Sequence, residues 1–359
     1  MKKILLISNM YPSESYPFFG TFIKNIESNL QTTEPNFERK KIDKIVIDKK
    51  SNSIVNKIFI YASFYLSITL KILFHRYDYI YVHFISHSAF PIILLSKFRK
   101  LNIVSHIHGG DIKNLNSKKK LAFKIKKKIS QKILSISKTI IFPSRSYFDY
   151  ANLHYIIPND SVIKIYPSGG VAAIFFDEGT NFKSSINIKL GYAGRLISSK
   201  NIEPIIEALH TIPNSTLEIV GEGVLLNALK TLVIENKLNE RVKFINAKSQ
   251  IDLKFWFDSI DVLIYPSSSE SLGLVPLEAI ASNVFPILSD IPAFNEFSNN
   301  GIISYTLIEL TPEAISKGVM YYMNLTPSEK QKILKDNKSI CYQIYSSEMT
   351  NRLLHDIFK

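Results

Sequence analysis

Short apolar runs alternate with helix-length segments along almost the whole chain. Ile4–Ser8, Ile42–Ile47, Tyr79–Phe84, Ile103–Ile107, Thr139–Phe142 and Val162–Tyr166 read as strands. Between them Gly20–Leu30, Ser53–Phe74, Ala89–Phe98, Lys118–Ser135 and Tyr147–His154 carry helical spacing. Such alternation predicts βαβ units and a parallel sheet. The pattern pauses at Pro167-Ser168-Gly169-Gly170 and through the polar stretch Asp177–Ser185. It resumes with strands at Lys189–Ala193, Leu217–Val220, Val242–Ile245, Val262–Tyr265 and Phe285–Leu288. Helical segments at Ile202–His210, Leu225–Asn236, Ile251–Ser259 and Leu277–Ala281 separate these. From Thr326 onward the chain reads as wholly helical, opened by Pro327 and Glu329.

The expected fold class is therefore α/β, with two doubly wound, Rossmann-like parallel-sheet domains facing a cleft. The first spans residues 1–177 and the second 178–335. Residues 336–359 form a helical segment packing back on the first domain. Ligands of open α/β sheets bind beyond the carboxyl ends of the strands. The residues to weigh for chemistry are those that directly follow strands.

Composition narrows the class. Hydrophobic residues make up 46% of the 359 positions and charged ones 21%, which excludes a disordered chain. The single cysteine, Cys341, excludes a disulfide scaffold. Together with the lack of an export signal, it points to the cytosol: the apolar run Ile4–Ile7 is too short for a signal peptide and Pro12 soon interrupts it. Ile58–Leu70 falls short of a bilayer span and predicts a buried or interfacial helix. Lys+Arg number 44 against 31 Asp+Glu, a net charge of +13. No nucleic-acid module accompanies that excess, so an anionic membrane surface or a phosphorylated small molecule accounts for it equally well.

Two segments carry candidate chemistry. In Tyr265–Ala279 a strand runs into a Ser/Gly loop and then a helix, whose first amides can hold an anion. Glu270 sits in that loop and Glu278 within the helix; carboxylates at such places suit vicinal sugar hydroxyls, although acidic residues are favoured at helix starts in any case. In Gly191–Asn201 a strand ends at Gly194, with Arg195 and Lys200 able to reach one anionic ligand. Alone, that loop is equally well a solvated basic turn.

Together these segments resemble family 4 glycosyltransferases, retaining enzymes of the GT-B fold. Leu217-Glu218-Ile219-Val220-Gly221-Glu222-Gly223, Val242-Lys243-Phe244-Ile245 and Asp261–Ser267 extend the likeness through the C-terminal half. In the N-terminal half, Tyr16–Ile23 resembles the family's glycine loop, His106-Ile107-His108-Gly109-Gly110-Asp111 its His-Gly-x-Asp signature, and Ser168-Gly169-Gly170-Val171 its closing motif. The resemblance implies that Arg195 and Lys200 neutralise the donor diphosphate. It implies that Glu278 holds the ribose, that Glu270 holds the donor sugar, and that His108 touches that sugar near the reacting carbon. Gly20, Asp111, Gly194 and the backbone of Leu272, Gly273 and Leu274 would line the donor, and Ala247 and Lys248 would meet its base. Departures stand at Asn201 and Asn283, where the family has Gly, at Ala172 in place of Asp, and in a first loop with one glycine instead of two.

The expectation is thus a retaining, metal-independent glycosyltransferase with no cofactor. It would use a UDP- or GDP-sugar donor and a glycan acceptor, expected to be a lipid-linked intermediate of bacterial surface polysaccharide (O-antigen, capsule or exopolysaccharide). His83 with His87, and His106 with His108, lack further ligands at metal-site spacing, so no metal is expected. The lysine-rich helix of Lys118–Lys128 would touch an anionic membrane or simply cover the sheet with a solvated basic face, and nucleic acid is not an expected partner. The place would be the cytoplasm, peripheral on the inner membrane. The alternatives are a nucleotide-sugar 2-epimerase of similar fold, or a non-enzymatic basic membrane- or nucleic-acid-binding protein.

Overall fold

The computed structural model describes residues 1–16, 19–31, 40–51, 53–114, 120–177 and 187–359. They form two compact units, Met1–Gly169 with Thr350–Lys359, and Gly170–Met349. The sequence pattern alone suggests boundaries at 177/178 and 335/336.

The first unit runs β1 (Lys2–Ser8), α1 (Thr21–Gln31), β2 (Lys40–Val46), α2 (Ile54–Phe74), β3 (Tyr79–His83), α3 (Ile85–Ser88), α4 (Phe90–Leu95), β4 (Ile103–His106), α5 (Gly109–Ile112), α6 (Lys120–Leu134), β5 (Thr139–Phe142), α7 (Arg145–His154) and β6 (Val162–Ile165). Its sheet has the order β2-β1-β3-β4-β5-β6, and every pairing is parallel. A strand inside such a sheet is covered on both faces, which is why β1 carries the unbroken apolar run Ile4–Ile7. Leu5 and Ile7 enter one core layer with Phe64 and Ile68 of α2. Ile4 and Leu6 enter the other with Ile23 and Ile26 of α1.

The second unit runs β7 (Ile188–Ala193), α8 (Glu203–Ala208), β8 (Ser215–Val220), α9 (Leu226–Glu235), β9 (Val242–Ile245), α10 (Gln250–Phe257), β10 (Val262–Tyr265), α11 (Leu274–Ala281), β11 (Phe285–Ser289), α12 (Pro292–Asn299), β12 (Tyr305–Leu307), α13 (Pro312–Asn324) and α14 (Pro327–Tyr345). Its sheet order is β12-β11-β10-β7-β8-β9, again all parallel. Both sheets are the doubly wound, Rossmann-like sheets that the alternation predicts.

The C-terminal helical stretch differs from the sequence reading in one respect. It is broken at Ser346, whose extended backbone (φ −64°, ψ 151°) ends α14 and bridges to Val171. Thr326 and Glu329 cap the start of α14 reciprocally, and its Leu334, Cys341 and Tyr345 join the second unit's core. The following α15 (Ser347–Ile357) instead delivers Leu354, Ile357 and Phe358 to the first unit's core beside Tyr81.

Candidate functional site

In the second unit the loops after β7 and β10 are tied to each other. Ser268 donates its amide to the Ser199 carbonyl at 2.9 Å, and its hydroxyl bonds to the same oxygen at 3.1 Å. Asn201 donates its side-chain amide to the Pro266 carbonyl at 2.8 Å. This stitching brings Lys200, buried in the short turn Ser198–Lys200, into an ion pair with Glu270. The Lys200 ammonium also donates to the Tyr265 hydroxyl at 3.3 Å and lies 5.0 Å from the centre of that ring. Burial and the nearby Glu270 carboxylate push the Tyr265 phenol well above its ordinary pKa, so it is a neutral partner.

Arg195 stands one residue beyond Gly194, exposed, with its guanidinium making no hydrogen bond or ion pair to a described residue. Its carbonyl accepts from the Tyr192 hydroxyl at 3.1 Å, which fixes the backbone beneath it. Gly221, at the end of β8, has φ +142°, and a Cβ there would fall 1.9 Å from the Gly194 carbonyl oxygen. Only glycine lets these two strand ends approach so closely.

Leu272 is buried, Gly273 is the N-cap of α11 (φ +96°), and Leu274 opens that helix. Among the described residues their amides have no acceptor. Glu278 lies one turn further along, buried, and burial pushes its carboxyl up to about 8. Ala247 and Lys248 are half-buried in the loop that follows β9. Arg195, Lys200 and Glu270 therefore share two stitched loops, Glu278 lies on the helix leaving the second loop, and Ala247 and Lys248 stand on a separate strand end.

The first unit has its own polar cluster. Residues His83 and His106 end β3 and β4 and are paired in register, which places their rings side by side. Their centroids are 4.9 Å apart, and His108 stacks on His106 at 4.5 Å. The His83 Nδ1 and His108 Nε2 atoms are 3.1 Å apart in a hydrogen bond, and the Tyr81 hydroxyl pairs with His106 Nδ1 at 2.8 Å. All three rings are buried; burial lowers His108 to about 3 and His83 and His106 well below the ordinary imidazole value. These imidazoles are neutral, and the Nε2 atoms of His83 and His106 have no partner among the described residues.

Asp111 is turned inward. Its carboxylate accepts from the Ser86 hydroxyl (2.7 Å), the Ser86 amide (3.0 Å) and the His108 amide (2.9 Å), so it holds His108 at the start of α5. Gly20 precedes α1, and a Cβ there would sit 2.9 Å from the Met10 carbonyl, an approach no other residue allows. His87 stays outside the trio, paired with the Ser86 hydroxyl at 3.0 Å.

Sequence reasoning gives no role to Tyr265 or His83. Tyr265 is signalled by being the last residue of a strand that feeds the loop, whereas His83 needs the β3–β4 register. Lys118 and Lys119 lie outside the described residues.

Residues 178–339, just under half of the chain, match the family model described as glycosyl transferases group 1. Among curated proteins, the chain is 34% identical over 102 residues to the O-antigen chain mannosyltransferase RfbU of Salmonella typhimurium, covering 25% of this chain and 29% of that one. It is 26% identical over 216 residues to an uncharacterized glycosyltransferase, MJ1607, of Methanocaldococcus jannaschii, covering 56% and 55%. The matched stretches thus span about half or less of those relatives. Among solved structures, it resembles sucrose-phosphate synthase from Thermosynechococcus elongatus (TM-score 0.77, 15% identity, 100% of this chain and 98% of that one). It also resembles HepE of Anabaena, solved in complex with UDP (TM-score 0.71, 15% identity, 100% and 99%). The chain accordingly has the GT-B fold and is related, through its C-terminal half, to the glycosyl transferases of group 1.

Proposed function

We propose that the protein is a retaining glycosyltransferase that needs no metal. It moves a sugar from a nucleotide-diphosphate donor to a glycan acceptor, a lipid-linked intermediate of surface polysaccharide. The observation that carries this reading is the stitched pair of strand-end loops in the second unit. They carry an unpaired Arg195, the ion pair of buried Lys200 with half-buried Glu270 and, where the second loop runs into α11, the free amides of Leu272, Gly273 and Leu274. That combination suits a diphosphate next to a polyol: cations and amides for the phosphates, carboxylates for hydroxyls. The likeness to an O-antigen mannosyltransferase supports the class of acceptor.

In this reading Lys200 meets the diphosphate while Glu270, released from full pairing, accepts from the sugar hydroxyls. Glu278 takes the ribose diol, and the loop of Ala247 and Lys248 meets the base. The acceptor oxygen bonds to the anomeric carbon as the carbon–phosphate-oxygen bond breaks. The acceptor proton passes to a donor phosphate oxygen, so no protein nucleophile is assigned. Stabilising the charge on the departing diphosphate supplies the main rate gain. His108 of the first unit serves as a sugar contact, with Asp111 positioning it and Gly20 lining the donor.

A panel of UDP- and GDP-sugars, scored by hydrolysis, transfer and thermal stabilisation, tests this. Arg195→Ala should weaken nucleotide binding roughly tenfold to a hundredfold, the value of one or two charge-assisted hydrogen bonds. Lys200→Ala leaves the half-buried Glu270 without its cation, so it should destabilise the fold as well as abolish transfer. The double change Lys200→Ala with Glu270→Ala should restore the fold and not the transfer. Full activity in Arg195→Ala and in the double variant would remove the assignment.

A further inference from the structure

We infer that the helical layer of α2, α4 and α6 seats the first unit on an anionic phospholipid bilayer. The outer face of α2 would enter the acyl boundary, and the lysines of α6 would meet headgroup phosphates. The inference stands on exposure and charge in the first unit and is independent of the donor chemistry proposed above.

One stripe of α2, Phe64, Ile68 and Ile72, is buried in the first unit's core. Ile60, Tyr61 and Tyr65 flank that stripe half-buried, and the opposite face is uncovered. Ile54, Val55, Ile58 and Phe59 are 75%, 60%, 64% and 69% exposed, and Leu66, Leu73 and Phe74 continue the apolar surface. Beside α2, and packed against it, α4 exposes Phe90 and Leu94, with the Phe90 ring 6.0 Å from Tyr65 of α2. Phe98, just beyond α4, is 88% exposed, and α6, which packs on α4, exposes Leu121 and Ile125. Scattered apolar side chains are ordinary on a surface; a run of them across three neighbouring helices marks an interaction face.

Charge identifies the occupant. Residues 49–148 hold 19 Lys+Arg against two acidic residues, Asp78 and Asp111, while the rest of the chain holds 25 against 29. The whole positive excess therefore belongs to the segment that builds this layer. Asp111 is buried, and α2, α4 and α6 contain no acidic residue. Lys124, Lys127, Lys128 and Lys132 are exposed on α6. Apolar side chains flanked by the lysines of α6, with no acid on the three helices, complement a surface that is oily within and negative at its rim.

The helix α2 is long and apolar enough to cross a membrane. Crossing would pull Phe64, Ile68 and Ile72 from the core and break the Asn9–Tyr61 hydrogen bond (3.1 Å) and the Lys71–Asp43 pair (3.2 Å). An orientation in the plane keeps all of these. The sequence places the expected membrane contact on the Lys118–Lys128 region, whereas the exposed apolar surface lies mainly on α2.

The test is flotation of the full-length protein with vesicles of phosphatidylcholine alone or of phosphatidylcholine and phosphatidylglycerol in equal parts. Wild type should float with the mixed vesicles at low salt. Ile58→Ser with Phe59→Ser, at exposed positions, should keep its circular dichroism melt and lose about tenfold or more in partitioning. Lys124→Gln, Lys127→Gln and Lys128→Gln together should reduce binding to the mixed vesicles towards the level on phosphatidylcholine and remove its salt dependence. In a Phe59→Trp variant, brominated acyl chains should quench the added emission and spare the buried Trp256. Wild type staying at the bottom of both gradients would overturn the inference, as would undiminished flotation of the serine variant. A non-floating dimer that the serine variant dissolves would give the face to a second copy of the chain and overturn it too.

Discussion

Glu278 is a buried carboxyl on the candidate donor side, and its titration can be followed. Folding raises it from 4.5 to about 8, so the folded chain holds its proton more tightly than the unfolded chain does. Stability from this group is unaffected below about pH 4.5, falls as pH rises towards 8, and is lowest above that. Glu278→Gln removes the charge and keeps the shape. Its melting temperature should match wild type near pH 5 and exceed it at pH 8.5, by an amount worth on the order of a few kcal/mol. If the carboxylate takes the ribose diol, nucleotide binding near pH 7 should also release a proton in wild type and none in Glu278→Gln. Calorimetry in buffers of different ionisation enthalpy reads that difference, and equal proton counts would take the ribose away from Glu278.

The two asparagines that stand where the family resemblance expects glycine have a common explanation. Asn201 and Asn283 both lie in the left-handed region, at φ +48° and +59°. Asparagine is one of the few side-chain-bearing residues that visit it routinely. Asn201 adds a hydrogen bond to Pro266 that glycine could not make. Asn201→Gly should therefore cost about 1 kcal/mol in urea unfolding, the hydrogen bond alone. Asn201→Ala should cost about 2 kcal/mol, since backbone strain is added. Equal losses in the two variants would mean that the backbone conformation contributes nothing.

At the scale of elements, what could be read from the sequence depended on how local the determining interactions are. Buried parallel strands are near-continuous apolar runs, so eleven of the twelve described strands, from β1 to β11, were legible. The three-residue edge strand β12 has no run to read, its Tyr305 being half-buried and its Thr306 exposed. Arg195, Lys200 and Glu270 can be singled out as candidates because each closely follows a strand. The contact between Lys200 and Tyr265 was not, because it joins residues 65 positions apart through the adjacent strands β7 and β10. The histidine trio is similar: His83 meets His106 only because β3 and β4 are neighbours in that register. Helix α2 shows the reverse limit. Its apolar sequence suits a core or a lipid surface equally, and only the structure separates the buried stripe from the exposed face.

At the scale of the whole molecule, the last ten residues belong to a unit whose other members end at Gly169. Leu354 and Phe358 are fully buried in the first unit's second core layer, where Phe358 packs edge-on to Tyr79 at 5.2 Å and Tyr81 at 4.9 Å. His355 Nε2 pairs with the Asn29 carbonyl at 3.1 Å, and the Tyr79 hydroxyl donates to the Lys359 carbonyl at 2.6 Å. Removing residues 350–359 would uncover Ile4, Leu6 and Tyr81, the centre of that layer. Leu354, Ile357 and Phe358 each contribute about 1.5–3 kcal/mol by burial, and the sum approaches the entire stability of an ordinary domain. The second unit loses no core residue in this truncation, since Leu334, Cys341 and Tyr345 precede the cut. Hydrogen exchange of the shortened chain should show protection lost in peptides from β1, β3 and α1 and kept in those from β7, β8 and β10. Nucleotide diphosphate should still protect the loops of Arg195 and Glu270. Loss of protection throughout would mean that the second unit cannot hold its fold without the first, and unchanged protection throughout would mean that α15 adds nothing to the core it enters.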